Sequence, residues 1–138
     1  MNDLVVSKKS VTILRVMLSG IFLVAGLNHV AAPQGVAGRL TTSSMYEYFP
    51  SFVDPKLLVI SVGVGLLMGG VSLLTNRFTR YAAMLLLALL IPITVSVQMQ
   101  GIHTMGPLFK NIAIAGALLF FIFNHLDRPK FIEHEKKN

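Results

Sequence analysis

The sequence predicts an all-α fold: an integral membrane four-helix bundle with an interfacial segment between its first and second spans. Three observations carry this. Hydrophobic residues make up 54% of the 138 positions and charged residues 13%, with mean hydropathy +0.69. A soluble domain carries about 25% charge, so this chain has too little to cover a water-facing surface. Four long apolar runs stand at about residues 11–30, 56–75, 81–98 and 107–124. At ~1.5 Å per residue, about twenty residues span the ~30 Å hydrocarbon core. The basic residues collect beside these runs, as membrane topology signals do. The length fits one domain, divided into an N-terminal segment 1–10, a membrane domain 11–125 and a charged tail 126–138.

The first run, VTILRVMLSGIFLVAGLNHV, reads as a retained helix. A signal-peptide reading would need the cleavage site to lie just before Pro33, and Arg15 interrupts the apolar core. Pro33 and Gly35 end the run. Residues 31–56 are too long for a tight turn. Val36, Leu40 and Met45 fall near helical spacing, so this stretch reads either as a short amphipathic helix at the interface or as an irregular loop. Tyr46, Tyr48, Phe49 and Phe52 then supply the interfacial aromatics that a chain without tryptophan needs.

The second run carries Ser61, Gly65 and Gly69 at intervals of four, a stripe of small residues that lets a neighbouring backbone approach. Packing within the chain is the preferred use. The link 76–80 is short, so the second and third runs should be antiparallel neighbours. Pro92 lies inside the third and removes a backbone hydrogen bond, with Thr94 or Ser96 available to bond nearby carbonyls. The fourth opens with Lys110-Asn111 and carries Ala113, Gly116 and Ala117 for close packing.

Orientation follows from charge. Lys8, Lys9, Arg77, Arg80, Arg128, Lys130, Lys136 and Lys137 stand at one end of the runs, against Arg39, Lys56 and Lys110 at the other. Both termini are therefore expected on the cytoplasmic side. The same placement turns the net charge of +6 away from nucleic-acid binding. The absence of cysteine removes disulfides, thiolate metal sites and thiol relays.

On this topology Asn28, His29, Gln98, Gln100, His103 and Asn111 gather at the outer end. Imidazoles and amides suit hydrogen bonds to the oxygens of a quinone or lipid headgroup. Two histidines without a third strong ligand make a poor metal site, and no serine–histidine–acid arrangement suggests nucleophilic catalysis. Arg15, Ser19, Phe22, Gly26 and His29 share one face of the first helix. Arg15 stands ~21 Å from His29 along the axis, where its stem can snorkel to lipid phosphates or meet an anionic or carbonyl headgroup.

Arg15, Gly20, Phe22 and Gly26 in the pattern R-x4-G-x-F-x3-G, followed by NHVAAPQGVAGRL, resemble the first helix and loop of the DoxX-like family. LLMGGVSLLTNRFTRYAAMLLLALLIPITV is similar to its second and third helices, and GPLFKNIAIAGALLFF to its fourth. The resemblance runs over about residues 12–124. It implies a four-helix, multi-pass protein of the bacterial inner membrane. Members include the DoxD-type subunit of thiosulfate:quinone oxidoreductase and a membrane partner of a mycobacterial oxidoreductase complex. Many members carry an acidic residue shortly before the paired glycines of helix two, where this chain has Gly65-Leu66-Leu67-Met68. Many carry a histidine near the end of helix three, where this chain has Gln98 or Gln100.

The expectation is an accessory, non-enzymatic subunit of a membrane redox system that holds a quinone or lipid headgroup at its outer end. A small carrier or exporter of an amphipathic solute, and a structural assembly factor docking through the Ser61/Gly65/Gly69 face or the aromatic cap, are the alternatives. Quinone is the one cofactor suggested. The expected partners are membrane lipid and a redox protein, with homo-oligomerisation open.

Overall fold

The computed structural model describes residues 6–48, 51–98 and 105–124, and these are helical with short links. Five α-helices follow in order: α1 Lys8–Ala31, α2 Pro33–Thr41, α3 Pro55–Leu74, α4 Thr79–Gln98 and α5 Met105–Phe123, with a 3-10 turn at Ser44–Tyr48. Three of them, α1, α3 and α5, are long and apolar enough to cross a membrane, and α4 contributes a shorter apolar stretch, Thr79–Val95. The chain is a multi-pass helical membrane bundle. Helices suit that setting because they satisfy their own backbone groups where no water does so.

Proline sets the breaks. Pro33 disfavours helical geometry at Ala32, whose φ of −132° and ψ of 59° end α1, and then itself opens α2. Asp54 caps α3: its carboxylate accepts from the Lys56 backbone N–H at 2.9 Å, with Pro55 at the first helical position. The segment 33–48 thus resolves as a helix and a 3-10 turn. α2 packs on α3 with Ala37 buried, while Tyr48 and Phe52 stay exposed.

α3 ends in a Schellman motif. The Arg77 N–H donates to Ser72 O at 3.1 Å and the Asn76 N–H to Leu73 O at 3.3 Å, with Asn76 left-handed at φ 56°. Phe78 is also left-handed, at φ 55°, and its carbonyl accepts the Ala82 N–H that begins α4.

The long helices run alternately up and down. Arg15 bonds to Leu73 and Gly26 meets Gly63, so α1 and α3 are antiparallel. Gly65 meets Leu89 and Gly69 meets Leu86, so α3 and α4 are antiparallel too. The α1 N-terminus and the α3–α4 link therefore share one end, the basic end. α2 and the 3-10 turn stand at the other, the loop end. Leu18 and Phe22 of α1, Leu66 and Leu73 of α3, Ala83, Leu86 and Leu90 of α4, and Ile114, Leu118 and Phe121 of α5 form one buried core. α1 lies mainly on α3 and only grazes α5.

Helices in lipid gain little from hydrophobic burial and associate by close packing. α3 supplies that on two faces. A Cβ added to Gly65 would stand 2.9 Å from Leu89 Cδ1, and one on Gly69 2.6 Å from Leu86 Cγ, so these two glycines seat α4. A Cβ on Gly63 would stand 2.7 Å from His29 Cβ, and one on Gly70 3.0 Å from Leu23 Cδ2, so this second pair seats α1. Ser61, third member of the four-step stripe, is exposed and donates its hydroxyl to Leu57 O at 2.8 Å.

Candidate functional site at the loop end

His29 lies two residues before the end of α1, half-buried. Gly63 makes its position possible: the absence of a side chain there lets α1 approach until the His29 stem rests on α3. The ring is then fixed by its own helix, with Nδ1 2.7 Å from Ala25 O. A carbonyl only accepts, so Nδ1 carries the hydrogen. In the neutral ring Nε2 is therefore the lone-pair nitrogen, an acceptor and a base. Such a group receives an O–H. It donates to a carbonyl only when the ring is protonated.

Asn28 points to the other side of α1 and is exposed, its carbonyl taken by the Ala32 N–H. Asn111, one and a half turns into α5, is 93% buried by its residual exposure of 7%. Its Nδ2 donates to Thr94 Oγ1 at 3.1 Å, and that hydroxyl donates onward to Leu90 O at 2.7 Å. Thr94 is both acceptor and donor, so the pair is a closed relay tying α5 to α4 close to Pro92. The amide of Asn111 is engaged in packing these helices. Gln98 closes α4 and is described in its backbone only, while Gln100 and His103 lie outside the described residues.

The loop end thus separates into two groups, His29 on the α1–α3 side and Asn111 with Thr94 on the α4–α5 side. Ser43, between α2 and the 3-10 turn, is a third polar feature there: it is 5% exposed and its hydroxyl oxygen has no hydrogen-bond partner. Among the described residues no group of three or more His, Asp or Glu could hold a metal.

Arg15 sits at the basic end, half-buried, on the same face as the buried Ser19, Phe22 and Gly26. Its Nη1 donates to Leu73 O at 3.0 Å. That carbonyl belongs to the last turn of α3, where the helix dipole is negative, so the guanidinium caps α3 from α1. Ser19 Oγ donates to Val16 O at 2.7 Å and uses no group of another helix.

Sequence spacing does not single out Gly63, because it stands seven residues from Gly70 and outside the four-step stripe. The signal lies in its partner: Gly26 and His29 lie on the helix face that a small residue opposite would have to receive. Thr94 is visible only as a proline-adjacent hydroxyl.

Against known proteins, the DoxX family model matches residues 10–99, which hold α1 to α4 but not α5. Comparisons with curated proteins and with solved structures give no match.

Proposed function

This chain belongs to the DoxX family, and from that premise we propose that it is a non-catalytic subunit that holds the polar head of a membrane-soluble quinone–hydroquinone couple. The site is the α1–α3 side of the loop end. The observation that carries the reading is the fixed tautomer of His29: with Nδ1–H given to Ala25 O at 2.7 Å, Nε2 accepts a hydroxyl hydrogen. The reduced, hydroxyl-bearing head is the better ligand.

The proposal takes the bacterial inner membrane from the family likeness, and sets the basic end on the cytoplasmic side from the distribution of Lys and Arg. In this reading it serves there beside a redox protein that exchanges electrons with the bound couple. The carrier and assembly readings have no observation of this kind behind them, and the Gly65/Gly69 face is already occupied by α4.

The test is equilibrium binding of a short-chain ubiquinol and the matching ubiquinone to the purified chain in nanodiscs, with the His29→Ala variant alongside. Loss of one hydrogen bond to a ligand corresponds to about fivefold to tenfold in affinity. The hydroquinone should lose that much in the variant while the quinone changes less. Equal hydroquinone affinity in both proteins refutes the proposal.

A further inference from the structure

The basic end carries a second site that the loop-end reading leaves unused. Arg15 is always charged, yet among the described residues its side-chain partner is the neutral Leu73 carbonyl. The carboxylates of the described residues, Glu47 and Asp54, lie at the loop end. The Leu73 bond takes one of five guanidinium N–H groups. It holds the group in place and leaves the remaining donors pre-positioned.

Side chains on a helix lean toward its N-terminus, so Arg15 leans toward Thr12, ~4.5 Å along the axis, and Lys8, ~10 Å along it. Lys8, Thr12 and Arg15, at i, i+4 and i+7, share a face. Beside them Lys8, Lys9, Thr12 and Ile13 line an open groove of about 350 Å³. The exposed lining of that groove is almost wholly apolar, formed by the stems of Lys8 and Lys9 with Thr12 and Ile13, and Arg15 lies outside it, one helical turn beyond Thr12. The half charge at the α3 C-terminus offsets only part of three positive charges.

We infer that the basic face of α1 beside this groove binds a phosphate group, and specifically the headgroup of an anionic phospholipid, with the apolar groove taking its acyl portion. The phosphodiester meets Arg15 and Thr12, Lys8 and Lys9 flank it, and the acyl chains run along the exposed apolar side of α1 at Ile13 and Met17. The groove opens at the membrane boundary, where such phosphates stand. Phosphate oxygens match the guanidinium fork better than a carbonyl does.

The experiment is lipid retention by the full chain, read by native mass spectrometry after exchange into detergent with equal phosphatidylglycerol and phosphatidylcholine of the same acyl chains. The wild type should keep phosphatidylglycerol preferentially. Arg15→Gln removes the charge and keeps a polar side chain at a half-buried position, and Lys8→Gln/Lys9→Gln alters exposed residues only. Both variants should keep their helix content, and the preference should fall by roughly fivefold per basic residue removed. Excess inorganic phosphate should leave the bound lipid in place. Equal retention of the two lipids by the wild type, or an undiminished preference in Arg15→Gln, overturns the inference. Displacement of the lipid by phosphate overturns the lipid assignment in favour of a soluble phosphate ligand.

Discussion

The α1–α3 crossing at Gly26 and Gly63 makes a demanding prediction. In Gly63→Ala the new Cβ would stand 2.7 Å from His29 Cβ, 3.0 Å from Val30 Cγ2 and 3.1 Å from Gly26 O. Carbon contacts are favourable near ~3.5–4.0 Å, so about 0.8 Å must be found. His29 Cβ is fixed directly to the α1 backbone, and Gly26 O is backbone. No flexible side-chain tip can swing away, and the helices must separate. A gap of ~0.5–1 Å forfeits a quarter to a half of each contact's dispersion energy. Overpacking of this kind costs about 1–3 kcal/mol. Alanine gains about 1 kcal/mol of helix propensity over glycine, so the net loss should be about 0–2 kcal/mol, and Gly63→Ala should stand about 1–3 kcal/mol below a glycine-to-alanine change made in open space.

Gly116→Ala is the control, because nothing lies within 4 Å of the position its Cβ would take. It should be neutral or stabilising. Reversible unfolding in mixed micelles of dodecylmaltoside and SDS, followed by circular dichroism, gives both values. Equal stability of Gly63→Ala and Gly116→Ala would refute the close crossing and, with it, the account of how His29 is seated.

Three further substitutions read other parts of the fold. Phe78 is a bulky residue at φ 55° that also begins α4; Phe78→Asn should stabilise by about 1 kcal/mol in the same titration, since asparagine tolerates the left-handed region and caps helices. Asp54→Ala removes the bond to the Lys56 N–H and should cost about 1 kcal/mol, a loss that Asp54→Ser recovers. Asn111→Ala breaks the link to Thr94 and should destabilise by about 1 kcal/mol; it should leave hydroquinone affinity within twofold, because the Asn111 amide is engaged with α4. A fall in affinity as large as that of His29→Ala would bring Asn111 into the ligand site.

The spans were legible because the apolar runs of this chain are long and the breaks between them are marked by residues with one dominant effect. Pro33 ends α1, and Asp54-Pro55 opens α3. The basic flanks point to the up-and-down order that the Arg15–Leu73 and Gly69–Leu86 pairs display. What spacing could not give is rotation about each helix axis. Gly65 and Gly69 stand out by their four-residue interval, whereas Gly63 and Gly70 acquire meaning only when Gly26 and Leu23 of another helix face them. The same ambiguity governs the polar residues. Adjacent in sequence, Asn28 and His29 point to different sides of α1. Asn111 and Thr94 are seventeen positions apart and share a hydrogen bond. An inventory of polar groups at one end of a bundle therefore reads as a single cluster, while the helix rotations give His29 and Asn111 different neighbours, α3 for the one and α4 for the other. Arg15 was legible as a charge near one end of its helix, and its engagement with the last turn of α3 depends on the path of the α3–α4 link, where Asn76 takes an uncommon backbone conformation.

The central claim is that His29 presents Nε2 as an acceptor for a hydroxyl-bearing head. Nitrogen-15 spectroscopy of the histidine-labelled chain in nanodiscs addresses it directly, with His29 assigned by its loss in His29→Ala. At a pH where the ring is neutral, Nδ1 should give the signal of a protonated nitrogen and Nε2 that of a bare one. Ubiquinol should shift the Nε2 resonance upfield toward the hydrogen-bonded range, with ubiquinone shifting it much less. A hydrogen on Nε2, or an Nε2 resonance unmoved by saturating ubiquinol, would contradict the account.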